Sequence, residues 1–299
     1  MKKKKSLKIN QGKLFFLFIS PWLIGLVVFI IGPMLYSLYA AFCDWDGIFA
    51  PTFIGVNNFK RMFFSDNRFW NSLSNTMYFV TFSVPLNLIV SLLLAVALNS
   101  KYYFRSIYRA MFYLPSVLSG VAIFIVWKNM FNSQIGIFNY LLSIIGIQGP
   151  NWLTDPNWSM PSIIIMTVTF CGSMMLIFLA GLQDIPESVI EAAKIDGASA
   201  LQFFAKITLP LLSPVIFYNL IMSIIGSLQV FSQPWIMTEG GPVESTYVYN
   251  MHLYHSAFRY GEMGYAAALA WVLFVIIMGF SLLTIRSSSL WVHSESKEG

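Results

Sequence analysis

Glu191-Ala192-Ala193-Lys194-Ile195-Asp196-Gly197, followed by Ile207-Thr208-Leu209-Pro210, lies in a polar segment between two long apolar runs. Asp184 and Pro186 make a helix start, Gly197 permits a sharp turn, and Ser199 to Ile207 reads as a second short helix stopped by Pro210. The expectation is a helix–turn–helix knob at a membrane surface. Val189, Ile190, Ala193, Leu201, Phe204 and Ile207 give it an apolar face suited to a groove on another protein, with Glu191, Lys194 and Asp196 at the rim. The same pattern also suits an amphipathic interfacial loop that serves only its own membrane domain.

The flanking runs set the environment. Hydrophobic residues make up 57% of the chain and charged residues 10%, against about a quarter charged in a soluble domain. Such a chain belongs in a bilayer. Six runs are long enough to cross it as helices: 14–42, 76–98, 107–131, 161–182, 209–231 and 263–285. The first is too long for a signal-peptide core, and Ala40-Ala41 is a poor cleavage site, so it reads as a retained anchor. The fold class expected is all-α, a polytopic membrane protein of six transmembrane helices. Its parts are a basic N-terminus (1–13), the first helix (14–42), a transmembrane domain (71–285) that includes the polar loop (184–210), and a tail (286–299).

Basic residues near span ends stay on the cytoplasmic side. With the N-terminus inside, the inner segments hold Lys2, Lys3, Lys4, Lys5, Lys8, Lys13, Lys101, Arg105, Arg109, Lys194, Lys206, Arg286 and Lys297. Lys60, Arg61, Arg68 and Arg259 fall outside, and Lys128 near an outer span end, where it can snorkel. Both termini and the Glu191 loop are then cytoplasmic. The net charge of +5 comes mainly from the N-terminal lysines, which fit anionic lipid headgroups; no folded basic domain accompanies them to bind nucleic acid. The outer segments 43–75, 132–160 and 232–262 are aromatic-rich, with Trp45, Trp70, Trp152, Trp158 and Trp235 placed as an interfacial belt. Gly149-Pro150 and Gly240-Gly241-Pro242 mark tight turns there.

Inside the membrane, chemistry is sparse. The central portions of all six runs contain no Asp, Glu, Lys, Arg or His, which weighs against a proton- or sodium-coupled carrier. No G-x-x-x-x-G-K-[ST] phosphate loop exists; Gly12-Lys13 is followed by Leu14. If ATP drives transport, another polypeptide binds it. No enzyme constellation stands out. His252 and His255 are a helical turn apart, but only Glu262 offers a third ligand, so no metal is expected. Cys43 and Cys171 fall at different depths, which argues against a disulfide. Cys171 reads as packing beside Gly172 and Ser173, which let helices approach. Ser223, Ser227 and Val230, with Gly226 beside them, share a face of the fifth run, and Gln229 lies one residue off it. Hydroxyl and amide groups with Phe231 suit a neutral solute such as a sugar; they equally suit helix–helix packing.

Glu191-Ala192-Ala193, Gly197 six residues after Glu191, and Ile207-x-Leu209-Pro210 together resemble the cytoplasmic loop signature of binding-protein-dependent ABC importer permeases. The chain also resembles the carbohydrate branch of that family at Ser20-Pro21-Trp22, Gly55-Val56-Asn57-Asn58-Phe59, Tyr113-Leu114-Pro115, Trp152-Leu153-x-Asp155-Pro156, Gly240-Gly241-Pro242 and Met263-Gly264-Tyr265-Ala266. The resemblance implies a type I importer permease fold and translocation of a carbohydrate, of oligosaccharide size, across a bacterial or archaeal cytoplasmic membrane. It implies as partners a second permease, two ATP-binding subunits that hold ATP and Mg, and an extracytoplasmic solute-binding protein. The loop becomes a coupling element: Glu191 and Asp196 contact the ATPase, Gly197 permits the turn, and Ala192, Ala193, Ala198, Ile207, Leu209 and Pro210 shape the knob. By the same resemblance to maltose-type permeases, Ser223, Ser227 and Gln229 line the sugar pocket, joined by Asn87 of the second run. Unlike the maltose permease, this chain lacks a large extracellular insertion after its third span. A self-contained facilitator or secondary carrier remains the alternative function, and an assembly or receptor protein a third.

Overall fold

The computed structural model describes residues 11–99 and 103–292. Lys2, Lys3, Lys4, Lys5, Lys8, Lys101 and Lys297, which carry part of the orientation reading, lie outside the described residues. The chain divides into two compact units, residues 1–65 with 254–272, and residues 66–253 with 273–299.

In the first unit, α1 (Gln11–Leu26), a π-turn (Val27–Ile31) and α2 (Gly32–Ala40) form one apolar span over Phe15–Ala40. Most of its side chains are exposed, and a helix apolar on every face needs a non-aqueous surrounding. The two-residue strands β1 (Cys43–Asp44) and β2 (Thr52–Phe53) pair antiparallel, and α3 (Asn57–Phe64) follows. The buried Asn58 amide donates to the carbonyls of Ala41 (3.0 Å) and Cys43 (2.9 Å), which ties α3 to the span end. Arg61 makes a bidentate pair with Glu262, both contacts 2.9 Å, and lies 4.4 Å over the Tyr265 ring.

The second unit is built on α4 (Asn67–Asn99), 33 residues long. It starts nine residues before the apolar run because Asp66 Oδ1 accepts the amide hydrogens of Arg68 (2.9 Å) and Phe69 (3.2 Å), an N-terminal cap that hydropathy does not register. After it come α5 (Arg105–Val117), α6 (Gly120–Met130), α7 (Ile137–Ile144), α8 (Pro156–Thr167), a 3₁₀ turn (Val168–Phe170) and α9 (Gly172–Gln183). Next are α10 (Glu187–Ile195), α11 (Ala200–Phe203), a π-turn (Phe204–Thr208), α12 (Leu209–Leu211) and α13 (Ser213–Leu228). Then come α14 (Ser232–Thr238) and α15 (Tyr249–Tyr254), and last α16 (Met263–Trp291), whose residues up to 272 belong to the first unit and the remainder to the second.

Three of the six expected spans are continuous helices, and three are bent pairs. The run 107–131 breaks by 100° between α5 and α6, 161–182 by 48° at the 3₁₀ turn, and the fifth span by 66° ahead of Ser213. Side-chain donors meet the 48° break: Ser91 Oγ donates to the Cys171 carbonyl (3.2 Å) and the Asn87 amide to Thr167 Oγ1 (2.8 Å). The Cys171 carbonyl also accepts the Met175 amide (2.8 Å), so these contacts tie α4 to the joint. Gly172 belongs to the same joint, since a Cβ there would overlap the Phe112 carbonyl and sit 2.8 Å from Tyr113 Cα.

One expectation is corrected here. Trp152 and Trp235 are not a lipid-facing belt. Trp152 donates to Asn139 Oδ1 (2.6 Å) and packs on Phe131 (5.5 Å between ring centroids), and Trp235 stacks on Phe231 (5.5 Å) against the same buried cluster. Their indoles pack ordered segments between spans, which composition alone does not distinguish from a belt; Trp70 and Trp158 are exposed. His252 is committed elsewhere, with Nε2 3.0 Å from Asp66 Oδ2, and among the described residues no three His, Cys, Asp or Glu side chains gather for a metal. Cys43 and Cys171 are both buried and free.

Candidate functional site

The Glu191 loop is held by its own caps. Helix α10 starts after Pro186 and ends in a turn at Gly197, whose φ is +71°. The Gly197 amide donates to the Lys194 carbonyl (3.1 Å) and the Ala198 amide to the Ala193 carbonyl (3.0 Å), the paired bonds of a Schellman motif. Two residues on, Ser199 and Gln202 form a capping box: the Ser199 amide donates to Gln202 Oε1 (2.9 Å), the Gln202 amide to Ser199 Oγ (3.3 Å).

Pro210 does not stop the second helix, contrary to expectation. The helical path runs on through Leu211 and turns 66° before Ser213. Pro210 sits in the opening turn of the segment that follows the π-turn, where a missing N–H costs no helical bond. Ser213 Oγ donates to the Pro210 carbonyl (2.6 Å) across the corner. Behind this corner Gly181 of α9 leaves no room for a side chain: a Cβ would lie 2.8 Å from Val215 and 2.9 Å from Leu212. Corner, α9 and α13 are therefore packed directly against one another.

The loop's faces also differ from the projection. Ala193 is buried, and Val189, Ile190, Phe204 and Ile207 are half-buried, turned toward their own domain. The outward apolar residues are Ile195, 85% exposed, and Leu201, 77% exposed, on either side of the Gly197 turn. Sequence reasoning missed Ile195, which lies next to the rim residue Asp196 and off the assumed stripe. Glu191, Ala192, Asp196, Gly197 and Pro210 are exposed, and Ala198 and Leu209 half-buried.

Of the four pocket candidates, the structure brings three together. A cavity of ≈ 300 Å³ lies between α4, the α8–α9 joint and α13, with Ser83, Asn87, Thr167, Ser223, Ser227 and Gln233 as its polar lining and Phe79 and Phe170 among its apolar walls. Gln229 is not in it. Helix α13 ends at Leu228, so helical spacing no longer governs residue 229, which is exposed at the C-cap. Gln233 of α14 lines the cavity in its stead, and it and Thr167 carry no periodic signal linking them to α13. Both Asn87 amide hydrogens are engaged, on the Ser83 carbonyl and on Thr167 Oγ1, each at 2.8 Å. Its carbonyl oxygen, by contrast, accepts no hydrogen bond among the described residues. Ser83 and Ser227 hydroxyls lie 3.5 Å apart, and the side chains of Ser223 and Gln233 make no hydrogen bond among the described residues. A lining of hydroxyls, amides and aromatic carbon without fixed charge matches a neutral, hydroxyl-rich molecule and disfavours an ion, which would lose its hydration without compensation.

Known proteins share this architecture. The family described as binding-protein-dependent transport system inner membrane component matches residues 47–287. The chain is 45% identical over 300 residues to the probable ABC transporter permease protein YesP of Bacillus subtilis (strain 168), covering 99% of this chain and 97% of YesP. It is 38% identical to the lactose transport system permease protein LacF of Rhizobium radiobacter, with 89% and 91% covered. The trehalose/maltose transport system permease protein MalF of Thermococcus litoralis is 35% identical, with 94% and 95% covered. In the crystal structure of a bacterial alginate ABC transporter in complex with alginate pentasaccharide-bound periplasmic protein, one chain has the same fold, with a TM-score of 0.82 at 23% identity, covering 94% of this chain and 95% of that one. With up to six candidate spans and a match across residues 47–287, the chain belongs to the family of binding-protein-dependent transport system inner membrane components.

Proposed function

We propose that this chain is a permease subunit of an ATP-driven importer that moves a carbohydrate, of oligosaccharide size, across the cytoplasmic membrane. The observation that carries the reading is the knob: two exposed apolar residues, Ile195 and Leu201, flank a doubly capped turn in a chain without a phosphate loop. An apolar tip of this kind is suited to a groove on a separate ATP-binding subunit. The uncharged cavity and the lactose and trehalose/maltose permeases among the relatives support a carbohydrate as cargo.

In the proposed assembly the chain pairs with a second permease and two ATP-binding subunits, where ATP and Mg reside, and receives cargo from an extracytoplasmic binding protein. Both termini and the knob face the cytoplasm. Docking of the loaded binding protein and ATP-driven closure of the ATPase pair push the knob. Through the Gly181 contact and the corner before Ser213, α9 and α13 shift and the cavity opens outward; hydrolysis returns it inward. Each step is a change in relative affinity for two states. Coupling residues are Glu191, Ala192, Ala193, Asp196, Gly197, Ala198, Ile207, Leu209 and Pro210, now with Ile195 and Leu201. The cargo residues are Asn87, Ser223 and Ser227 with Gln233.

The test is affinity purification of the chain from its native membrane, wild type beside Leu201→Asp, with co-purified proteins identified by mass. Recovery of an ATPase and a second permease, with the ATPase depleted in the variant, is the expected result. Recovery of the chain alone, with sugar flux in vesicles that contain only this chain, would establish a facilitator instead.

A further inference from the structure

We propose that the cargo pathway continues beyond the cavity along a polar seam between α4 and α13, and that Asn219 is its next cargo-contacting group, with Ser91 opposite. The proposal rests on the carbohydrate-permease reading above. On α4, Ser83, Asn87 and Ser91 recur every four residues; on α13, Ser227, Ser223 and Asn219 do the same in the opposite direction. Two rungs of this ladder are observed. Ser83 and Ser227 hydroxyls are 3.5 Å apart, and Asn87 and Ser223 line one cavity. Flanking apolar residues of the two helices fall in shared clusters, Val80, Val84 and Leu88 with Leu228, Ile224 and Leu220, and further along Ala95 and Leu98 with Leu212, Val215 and Ile216. Ridges of spacing four on both helices then place Ser91 across from Asn219.

Both members of this third rung are buried, Ser91 fully and Asn219 to 2% exposure. Ser91 Oγ donates to the Cys171 carbonyl (3.2 Å), which leaves its oxygen as an acceptor. Asn219 Nδ2 has no hydrogen-bond partner among the described residues. An amide buried without a partner is a net cost that leucine at the same place would avoid. Asn219 lies one helical turn from the cavity-lining Ser223, on its Ser213 side. Helix α13 hangs from the corner at Leu212, so a swing about that corner parts α13 from α4 along the seam by an amount that grows from Asn219 towards Ser227. In the parted state the Asn219 amide and the Ser91 hydroxyl face the pathway and exchange hydrogen bonds with cargo hydroxyls. In the state described here the seam is shut by the packed Leu98, Leu212 and Ile216.

The test uses the complete importer, this chain with its partner subunits, reconstituted in vesicles, with uptake of labelled maltotriose and lactose measured for wild type and Asn219→Leu. Uptake by the variant should fall about tenfold, the scale of one lost cargo hydrogen bond, while thermal stability in detergent stays level or rises. A second arm follows Asn219→Cys with a small impermeant thiol reagent, against wild type for the background of Cys43 and Cys171. Labelling should be absent at rest, appear during ATP turnover, and be suppressed by the transported sugar. Equal uptake by Asn219→Leu at raised stability, or no labelling of Asn219→Cys in any nucleotide state, makes Asn219 a packing residue and overturns the proposal alone. Absence of ATP-dependent uptake by wild type overturns the carbohydrate-importer reading, and the proposal with it.

Discussion

Gly197 and Gly172 show why a glycine matters in two different ways. At Gly197 the backbone is left-handed, φ +71°, and a Cβ would meet nothing within 4 Å. The constraint is conformational, on the order of 1–2 kcal/mol for an ordinary residue. Asn, which tolerates that region, should leave transport near wild type, whereas Gly197→Val should unseat the Schellman turn and cut ATP-driven uptake several-fold with normal membrane insertion. Equal uptake by the two variants would show that the turn's handedness is irrelevant to coupling. At Gly172 the backbone carries no positive φ, and the constraint is steric: a methyl group overlaps the Phe112 carbonyl. Here even Gly172→Ala should lower the thermal midpoint of the purified chain, because α5 must move off α9. An unchanged midpoint would mean that this contact relaxes freely. Both glycines were visible in the chain, one as a turn and one as a close approach. The partner carbonyl was not visible, since it lies sixty residues away.

At the scale of elements, what hydropathy reports is where the chain meets hydrocarbon, and in that respect six runs became six spans. Hydropathy is blind to hydrogen-bond direction, so the breaks between α5 and α6, at Val168–Phe170 and before Ser213 were illegible, and Pro210 was mistaken for a stop. Periodicity failed in the same way at Gln229, because projecting a face assumes that the helix continues, and α13 ends one residue earlier. Capping, by contrast, was legible: Ser199 opens the second knob helix as expected, and the Gln202 partner completes a box. Losing an N-cap of this type costs about 1 kcal/mol. Ser199→Ala should therefore speed hydrogen exchange at Gln202 about fivefold, without altering exchange in α4. Adding Gln202→Ala should give less than the sum of the two single effects, since each side chain closes the other's bond. Additive effects would dissolve the box into two independent contacts.

For the molecule as a whole, the large exposed apolar surface is the property that a water-soluble protein could not carry. Phe29, within the first span, is 78% exposed, and Phe64, at the end of α3 between the first and second spans, is 86% exposed. Equal exposure hides different surroundings. Phe29 lies near the middle of Phe15–Ala40, where its ring faces lipid or a neighbouring span. Phe64 is the last residue of a short helix whose Arg61 is paired to Glu262 and placed over Tyr265, a polar setting. A central arginine costs about 2.5–3.5 kcal/mol for insertion of a single helix, enough to compromise a span that is held to its own unit by few polar contacts. Phe29→Arg should therefore reduce the amount of chain recovered in the membrane fraction several-fold, whereas Phe64→Arg should insert normally. The comparison is read by quantifying the full-length chain in carbonate-washed membranes. Comparable recovery of both variants would place Phe29 beside water, and the first span would then be something other than a lipid-facing helix. Selective loss of Phe29→Arg would instead tie the exposed stripe of that span to the bilayer, because its side chains from Val27 to Tyr36 stand exposed in their unit.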